Sequence, residues 1–479
     1  MNWLTRQMKV RPHEVAVRFE EAQVTWSDLG RRTQRIAAAL QLAGMRPGAR
    51  VATLVHNGVD LVCLLHAAMW TGTTLVPLDP SALDAVVSQQ LRDSAADLLV
   101  IDRSAANRSV DLGAVRFVQI EELTYSLSAD PVRFRADDVA TIPHTTSAAG
   151  PARPVRLTWK NYEAVALGSA LTLGVRRDDD WLCCLSMSDV AGISMALRSV
   201  IYGTRLTVLP KFDAAAVFRA IEEGSRIVWL TPSMLSELAD HAGGMEGLAA
   251  RMLGSPLRAV LVEGTIREPM LADGIMAGLP IYQTYGTAET AGQIATVVPD
   301  RASEKIGSAG FPLWGAELSI RDEAGEPVPS GAGHVWVRGP MVSSGYLDRP
   351  ELNRRTFVGG WFRTADRGSL DEDGFLWLQD PVEHVLRLET VSHDEIERAL
   401  LGHPQIRDVA VFAVEDPRFG QRMTAAIVTD GSVSSEDLDA FARRALPQEQ
   451  RPRAWVVVSE LPRSETGSVR RQLLRARYG

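Results

Sequence analysis

Strand-like and helix-like segments alternate along most of the chain, and this alternation restricts its fold more than any other feature. The run "ARVATLVH" has the length of a buried strand and follows a segment with apolar residues at helical spacing, "TWSDLGRRTQRIAAALQLAG". The same order recurs in "AAAVFRAIEEG" before "RIVWLTP" and in "MLADGIMAGLP" before "IYQTYG". Strands that alternate with helices of about ten or more residues form mostly parallel sheets with helices on their faces. The sequence therefore predicts an α/β fold, and within it a helix capped by Ser27 that ends near Gly44.

The pattern changes after about Gly307. The segment "AELSIRDEAGEPVPSGAGHVWVRGP" has short alternating strands separated by Gly and Pro turns, which is typical of a small antiparallel or barrel-like element. A new helix is predicted to begin near His393. Because a single hydrophobic core serves no more than roughly 250–300 residues, a chain of 479 residues needs more than one domain. We predict an N-terminal domain over residues 1–380, a hinge at 381–387 and a small α+β domain over 388–479.

The charge and the cysteines exclude several classes of protein. Nucleic acids and anionic membranes are met by concentrated basic surfaces, whereas this chain has a formal net charge of -8. No apolar run approaches the roughly 18 residues of a membrane span, and the N-terminus lacks the pattern of a signal peptide. The cysteines, Cys63, Cys183 and Cys184, lack the spacing of a metal site. We therefore expect a cytoplasmic protein with reduced cysteines and with no nucleic-acid or membrane partner.

The most informative segment is "IYQTYGTAETAGQIATV". It reads as a strand that ends in Tyr285 and Gly286, with Glu289 just beyond. Ligands of α/β sheets bind at the carboxyl ends of strands, and a carboxylate there could hold Mg²⁺, which prefers oxygen ligands. Taken alone, Glu289 is explained more simply as a solvated carboxylate in a turn.

Other segments give this motif a context. In order along the chain, "HTTSAAGPARPVRLTW", "YGTAET", "GWFRTADRGSLDEDGFLWL" and "LPRSETGSVRRQLL" resemble the motifs of the AMP-forming acyl-CoA ligase superfamily. Within it, "DDDWLCCLSMSDVAGISMALRSVIYG" and "KFDAAAVFRAIEE" look most like the o-succinylbenzoate-CoA ligases of menaquinone synthesis. The resemblance implies a large N-terminal domain of two helix-covered sheets plus a small distorted β-barrel, and a mobile α+β C-terminal domain. It also implies that ATP and Mg²⁺ convert a carboxylate into an acyl-adenylate, from which CoA displaces AMP.

The resemblance places a phosphate-binding loop near the end of the first third of the chain. Its candidate ligand-binding residues are Thr145, Thr146, Ser147, Gly150 and Arg153. Arg153 stands where the family has a Lys, and Ser147 stands where it has a Gly. Two further positions that usually carry hydroxyls are Ala148 and Ala149. Because Cβ atoms hinder a loop that needs glycine geometry or a close approach, we expect phosphate binding to be weakened.

The rest of the nucleotide site is a mixture of retained and altered residues. By the resemblance, the further candidate nucleotide-binding or ligand-binding residues are Gly264, Tyr285, Gly286, Thr287, Gln293 and Asp366, with Glu289 as the Mg²⁺ ligand. Asp366 corresponds to the carboxylate that binds the ribose hydroxyls. Ala288 replaces a Thr that would face phosphate, and the normally glycine-rich loop "VEGTIRE" departs at Glu263 and Ile266.

The largest departures concern catalysis. Ser468 occupies the position of the lysine that reaches the active site during adenylation, and Ser has neither its charge nor its reach. Near the hinge, Pro381 replaces an Arg, His384 lies near the usual Asp, and a glycine pair that supports the CoA-binding pose is deleted. In the acyl-pocket motif, Asp189 replaces a His.

The exchange at Asp189 has two explanations. An anion there would disfavour a neighbouring anionic carboxylate, so that a neutral or cationic ligand fits better. Alternatively, Asp189 caps a helix that begins near Ile193.

Three hypotheses about function follow. In the first, which we favour from the sequence, ATP-dependent adenylation has been lost. Asp189 and Glu289 would then serve ATP-independent acyl transfer, condensation or cyclisation, or binding of an acyl or aryl ligand, and no cofactor is expected. In the second, the chain is a functional carboxylate-CoA ligase that uses ATP, Mg²⁺ and CoA. In the third, it is a non-catalytic partner or regulatory protein. The sequence leaves open whether the protein is a homodimer.

Overall fold

The computed structural model describes most of the chain, in two compact units. The described residues are 2–82, 84–123, 128–145, 152–264, 268–328, 330–379, 393–416, 420–429, 431, 433–446, 450–462, 474 and 477–478. The first unit contains residues 2–145 and 153–378, and the second contains Ala152 and the described residues of 379–479. The predicted boundary at residue 380 and the predicted hinge at 381–387 lie outside the described residues.

Helices of the first unit alternate with strands, as the sequence pattern predicts. In chain order they are α1 (Trp3–Val10), α2 (Trp26–Leu42), α3 (Val59–Thr71), α4 (Asp84–Ser94), α5 (Trp159–Leu173), α6 (Val190–Tyr202), α7 (Ala214–Glu222), α8 (Pro232–Ala242), α9 (Met245–Met252), α10 (Glu268–Met276), α11 (Pro299–Ala302) and α12 (Pro350–Thr356). Short 3₁₀ turns lie at Arg103–Ala105, Ile120–Glu122 and Ala288–Thr290.

A nine-stranded sheet forms one half of the first unit. Its strands are β1 (Val15–Phe19), β2 (Ala22–Thr25), β9 (Asp180–Cys183), β10 (Arg205–Val208), β11 (Ile227–Leu230), β12 (Ala259–Glu263), β13 (Ile281–Tyr285), β14 (Ala295–Val297) and β15 (Phe311–Pro312). They are arranged in the order β15-β14-β13-β12-β11-β9-β10-β1-β2. Every neighbouring pair from β1 to β13 is parallel. The carboxyl ends of these strands therefore share one edge.

A six-stranded sheet forms the other half. Its strands are β3 (Arg50–Leu54), β4 (Thr74–Pro77), β5 (Leu98–Ile101), β6 (Arg116–Gln119), β7 (Val139–Thr141) and β8 (Leu157–Thr158), in the order β6-β5-β3-β4-β7-β8. All pairs except β7–β8 are parallel. The prediction of two helix-covered, mostly parallel sheets is confirmed.

One continuous hydrophobic core joins the two sheets. It includes apolar residues of α2, α3, α5 and α6 together with residues of both sheets, such as Val51 and Leu75 on one side and Trp181 and Trp229 on the other. Helices α7 to α10 cover the opposite face of the nine-stranded sheet, and α4 covers that of the six-stranded sheet. Within the described ranges, no helix is both long and apolar enough to cross a membrane.

The remaining strands form two smaller sheets. In the first unit, β16 (Glu317–Arg321), β17 (Gly333–Arg338), β18 (Phe357–Val358), β19 (Trp361–Leu370) and β20 (Leu376–Leu378) make a five-stranded sheet whose pairs are all antiparallel. The second unit has α13 (His393–Leu400), β21 (Ile406–Asp416), β22 (Gly420–Thr429), α14 (Ser435–Ala445) and β23 (Ala454–Val457). Both the antiparallel element and the separate α+β unit agree with the sequence pattern.

The start of α2 differs from the prediction. The hydroxyl of Thr25 accepts a hydrogen bond of 3.1 Å from the backbone N–H of Asp28, so Thr25 is the N-cap and Ser27 already lies inside the helix. Thr25 is also the last residue of β2 and has extended backbone angles, which an N-cap requires. At the other end, the helix stops at Leu42, two residues before Gly44.

A buried amide connects the two large sheets. Asn57 follows β3 of the six-stranded sheet, and its Nδ2 donates to the carbonyls of Leu185 (2.8 Å) and Leu209 (3.2 Å), which follow β9 and β10. Its Oδ1 accepts a hydrogen bond of 2.8 Å from the N–H of Met187. Asn57 thereby fixes the loop that leads from β9 to Asp189.

We predict that Asn57→Ala lowers the free energy of unfolding by on the order of 2–3 kcal/mol, because buried backbone groups lose their partners. Urea denaturation measures this loss. Asn107→Ala, at an exposed position in a turn, is the matched control and should change the free energy of unfolding by less than about 0.5 kcal/mol. Equal effects of the two substitutions would contradict the role assigned to Asn57.

Candidate functional site

The shared carboxyl edge of the nine-stranded sheet carries a buried tyrosine–carboxylate pair. Tyr285 is the last residue of β13 and is 6% exposed. Its hydroxyl donates a hydrogen bond of 2.7 Å to Oδ2 of Asp366 on β19. Burial, and secondarily the negative charge of Asp366, raise the pKa of Tyr285 well above its ordinary value. The phenol is therefore a neutral donor, and the structure brings together two of the residues predicted to bind the nucleotide.

A second tyrosine–carboxylate pair lies just beyond β13. Glu289 is in the 3₁₀ turn at Ala288–Thr290 and is only 7% exposed, so its interpretation as a solvated turn residue is wrong. The hydroxyl of Tyr346 donates a hydrogen bond of 2.6 Å to Oε1 of Glu289. The backbone carbonyl of Glu289 accepts a further hydrogen bond of 2.7 Å from the N–H of Ser343. Glu289 is thus held in place through both its side chain and its backbone.

The base of the predicted phosphate loop lies next to this second pair. The N–H of Thr145 donates to the carbonyl of Arg153 (3.0 Å), and the N–H of Arg153 donates to the hydroxyl of Thr145 (3.1 Å). The guanidinium carbon of Arg153 lies 5.7 Å from the centroid of the Tyr346 ring. Arg153 and Glu289, which are far apart in sequence, therefore both lie against one tyrosine.

Several residues predicted from the sequence lie outside the part of the chain that the structure describes. Thr146, Ser147, Ala148, Ala149, Gly150, Ile266, Pro381, His384 and Ser468 are not among the described residues. Their assignments remain expectations from the sequence.

The remaining predicted residues have mainly structural contacts. At Gly286 a Cβ would lie 2.4 Å from the carbonyl oxygen of Gly292, so only glycine fits there. Gly264 has a φ of +92°, which favours glycine. The backbone N–H of Thr287 donates to the hydroxyl of Thr290 (2.9 Å). Gln293 is fully buried, its amide nitrogen donates to Thr296 on β14 (2.8 Å), and its amide oxygen has no partner among the described residues.

Two carboxyl groups lie near each other at the ends of different elements. Asp189 occupies the N-cap position of α6, which begins at Val190 rather than near Ile193. The side chain of Asp189 is exposed and makes no capping hydrogen bond to α6. The capping hypothesis therefore accounts for the position of Asp189 but gives its carboxylate no role. Glu263 ends β12, where burial and then the negative charge of Asp189 raise its pKa to about 7. A carboxyl group whose pKa lies near neutral pH is thus close to Asp189, in the segment that the resemblance assigns to the acyl pocket.

A buried arginine lies deeper between α6 and the same sheet. Arg198 is 1% exposed, and its guanidinium carbon is 4.9 Å from the Trp229 ring centroid and 5.8 Å from that of Trp181. One nitrogen donates to Ser169 (3.2 Å), whereas Nε and Nη2 have no partner among the described residues. Burial lowers the pKa of Arg198 to about 10, which keeps it charged at neutral pH. Because buried donors are normally satisfied, this cation favours an anionic guest.

The donor set around Glu289 fits Mg²⁺ better than a metal with a full protein cage. Within the described residues, no group of three or more His, Cys, Asp or Glu side chains could hold a metal ion. Mg²⁺ is commonly bound through one or two carboxylates together with substrate phosphates and water. A single buried carboxylate beside a phosphate-loop arginine meets that requirement.

Three residues of this region escaped the sequence analysis. The sequence does mark Arg198 as unusual, since it is the one charged residue in the helical run "VAGISMALRSVIY". Tyr346 and Asn57 stand in turn-like segments, "SSGYLD" and "LVHNG", where tyrosine and asparagine are unremarkable. Their importance comes from contacts with distant segments, which a local pattern does not contain.

Known proteins match this chain over nearly its whole length. Residues 4–347 match the family model described as AMP-binding enzyme, and residues 395–468 match that of the AMP-binding enzyme C-terminal domain. A 2-succinylbenzoate–CoA ligase of Bacillus cereus (strain Q1) is 32% identical over 479 residues, which cover 99% of this chain and 98% of the relative.

Solved structures are similar over the same length. The o-succinylbenzoate CoA synthetase of Bacillus subtilis, bound with its product analogue, is 27% identical with a TM-score of 0.79, and the match covers 99% of this chain and 98% of that one. An amide bond synthetase from Marinactinospora thermotolerans is 28% identical with a TM-score of 0.80 over 100% of both chains. The predicted fold class is confirmed, and the chain belongs to the AMP-binding enzyme family.

Proposed function

We propose that this protein is an ATP-dependent carboxylate-CoA ligase of the o-succinylbenzoate-CoA ligase type. One observation carries the proposal: Asp366 and Glu289 are each held by a buried tyrosine, and Arg153 lies against the second of these tyrosines. These are groups that the reaction needs for ribose, metal and phosphate. The full-length similarity to 2-succinylbenzoate–CoA ligases also supports it. A ligase of this type requires ATP, Mg²⁺ and CoA, whereas the first hypothesis expects no cofactor.

The proposed reaction has two steps. A carboxylate oxygen of the acid attacks the α-phosphorus of ATP, which forms an acyl-adenylate and releases pyrophosphate. The CoA thiolate then attacks the acyl carbon, and AMP leaves. Asp366 would accept hydrogen bonds from the ribose hydroxyls, and Arg153 would balance charge that develops on the phosphate oxygens. Mg²⁺, held by Glu289, would supply further neutralisation of phosphate charge.

The buried guanidinium of Arg198 indicates which acids are bound. Its unpartnered donors, between two tryptophan rings, suit a second carboxylate on an aromatic acid. Asp189 and Glu263, at the edge of the sheet, would repel an anion in their immediate neighbourhood. We propose an aromatic dicarboxylate whose second carboxylate reaches Arg198.

The loss of adenylation is the competing hypothesis. It depends on Ser468 and on residues 146–151 of the altered phosphate loop, which lie outside the described residues. Loss of one transition-state donor costs about 10²–10³ in rate. A ligase with Ser468 would accordingly be slow, and restoring a lysine distinguishes a slow site from a lost one.

We predict that Ser468→Lys raises the rate of 2-succinylbenzoate adenylation by about 10²-fold or more. Formation of AMP and of the CoA thioester, measured by chromatography with ATP and Mg²⁺ present, gives the rate. Ser464→Lys, which adds the same charge in the same segment, is the control and should not raise it. If neither the natural protein nor Ser468→Lys forms AMP from any of a panel of aromatic and aliphatic acids, the ligase proposal fails.

For Arg198→Met we expect a loss of preference for the dicarboxylate over benzoate of about 10–10²-fold in kcat/KM, because a charge-assisted hydrogen bond is removed. The methionine keeps an apolar side chain of similar length, so thermal unfolding should change little. Arg251→Met is the matched control, since the Arg251 guanidinium also stacks on a ring, 3.8 Å from the centroid of Phe218. A preference unchanged in Arg198→Met would exclude contact with the second carboxylate.

An amide bond synthetase is a second candidate function. The match to such an enzyme over the whole chain favours it, as does Glu263, whose pKa of about 7 suits a group that accepts a proton from an attacking amine. In that reaction the amine nitrogen bonds to the acyl carbon, AMP leaves, and the ammonium proton passes to the carboxylate. Supplying CoA and simple amines together separates the candidates, because a thioester supports the first and an amide the second. Binding without any turnover would instead support the non-catalytic hypothesis.

The raised pKa of Glu263 has a consequence for stability. The ordinary pKa of this carboxyl group is 4.5, and its pKa in the folded state is about 7. Between these two pH values the group is protonated in the folded state and deprotonated in the unfolded state. Stability from this group is therefore present below pH 4.5 and is lost as the pH rises through 7.

We predict that Glu263→Gln, which stays neutral, raises the free energy of unfolding at pH 8 by on the order of 1–3 kcal/mol and has little effect at pH 4. The lower end is expected because the side chain is partly exposed. Urea denaturation at the two pH values tests this, with the exposed Glu237→Gln on α8 as the control. A gain of the same size at both pH values would contradict the assigned titration.

A further inference from the structure

The two tyrosine–carboxylate pairs of the site are alike in geometry but differ in what surrounds them. The hydroxyl–oxygen distances are 2.6 Å for Tyr346–Glu289 and 2.7 Å for Tyr285–Asp366, and both tyrosines are buried. Among the described residues, a cation lies beside the first pair, where the Arg153 guanidinium is over the Tyr346 ring. The first pair therefore lies at the phosphate end of the site and the second at the ribose end.

Hydrogen bonds to the backbone of Tyr346 and packing against its ring hold this side chain in place. Its N–H donates to Oδ1 of Asn353 and its carbonyl accepts from Nδ2 of the same residue, both at 2.8 Å. The ring packs edge-on against Phe357, with centroids 5.6 Å apart, and the residue is 2% exposed. A β-bridge to Val155 ties it to the strand-like segment that follows Arg153. The hydroxyl is thus presented to Glu289 from a rigid position.

Glu289 is bound asymmetrically by this hydroxyl. Oε1 accepts the hydrogen bond from Tyr346, and within the described part of the chain no hydrogen bond reaches Oε2. A carboxylate with one oxygen fixed by a neutral donor has its other oxygen available in one defined orientation.

We propose that Tyr346 is a positioning residue for the metal: its hydroxyl holds one oxygen of Glu289 so that the other coordinates the Mg²⁺ that accompanies ATP. This inference rests on the proposed function. Groups that orient a metal ligand typically contribute 10–100-fold to metal affinity. The effect of Tyr346 should appear in the metal-dependent part of ATP binding and not in the contacts of the adenosine.

The test compares Tyr346→Phe with Tyr285→Phe by calorimetric titration of ATP, with Mg²⁺ or with EDTA and without any acid substrate. Each substitution removes one buried hydroxyl that donates to one carboxylate. For Tyr346→Phe we expect the gain in ATP affinity on adding Mg²⁺ to fall by about 10–100-fold, whereas the affinity in EDTA stays near that of the natural protein. For Tyr285→Phe we expect the affinity to fall under both conditions, with the metal-dependent gain retained.

Several outcomes would overturn the inference. A metal-dependent gain that is unchanged in Tyr346→Phe would remove the role of the hydroxyl, and equal losses with Mg²⁺ and with EDTA would indicate a merely structural role. Thermal unfolding of both variants, together with Asn353→Ala, which disturbs the backbone of Tyr346 but keeps its hydroxyl, identifies losses caused by misfolding. If the natural protein binds no ATP under either condition, the proposed function fails, and this inference fails with it.

Discussion

The amide of Asn57 connects the parts of the first unit on which the candidate site depends. It belongs to a loop of one parallel sheet, and its hydrogen bonds satisfy two carbonyls and one N–H at the carboxyl edge of the other. Buried backbone groups at strand ends must find partners, and here a single side chain supplies them for three groups in two segments. The loop from β9 to Asp189, and hence the start of α6, has its position because of this contact.

Charge is distributed unevenly around that edge. A cation, Arg198, is buried between α6 and the sheet, while two acids, Asp189 and Glu263, lie near the strand ends. On the other side of the edge, Glu289 and Arg153 contact the same tyrosine. Of these groups, Arg198 is buried with two donors that have no partner among the described residues, and such a cation favours an anionic ligand. The uneven distribution of charge is consistent with an acid that carries two carboxylates and with a nucleotide that carries phosphates.

The tyrosine–carboxylate pairs show how a site can keep its form when some of its side chains change. Tyr285 and Tyr346 come from different sheets or loops, yet each orients one carboxylate at nearly the same distance. The sequence departures at Ala288 and Arg153 stand beside these pairs, and the pairs do not depend on the hydroxyl that Ala288 lacks. Orienting residues therefore bear on function as much as lost ligands do, and in this chain they support the ligase proposal over the loss of adenylation.

Local pattern was sufficient for the elements and their order. Helices such as α7 and strands such as β11 follow from apolar spacing, because burial of one face is decided within a few residues. The start of α2 was misplaced by two residues, since Ser27 and Thr25 are equally good caps in sequence and only the end of β2 chooses between them. The interpretation of Glu289 as solvated is wrong because its carboxylate is bonded by Tyr346, which is 57 positions away along the chain and is not part of the local pattern.

The amino-acid pattern is enough to predict the α/β class, the antiparallel element, the family resemblance and the candidates Glu289, Asp366 and Arg153. It does not contain the contact of Tyr346 with both Glu289 and Arg153, the buried donors of Arg198 that lack a partner among the described residues, or the approach of Glu263 to Asp189 that changes its pKa. The two sets differ in the separation along the chain over which the interactions act. Hydrophobic periodicity acts between neighbours in the chain, whereas hydrogen bonds and charge interactions act between whatever residues the fold brings within a few ångströms.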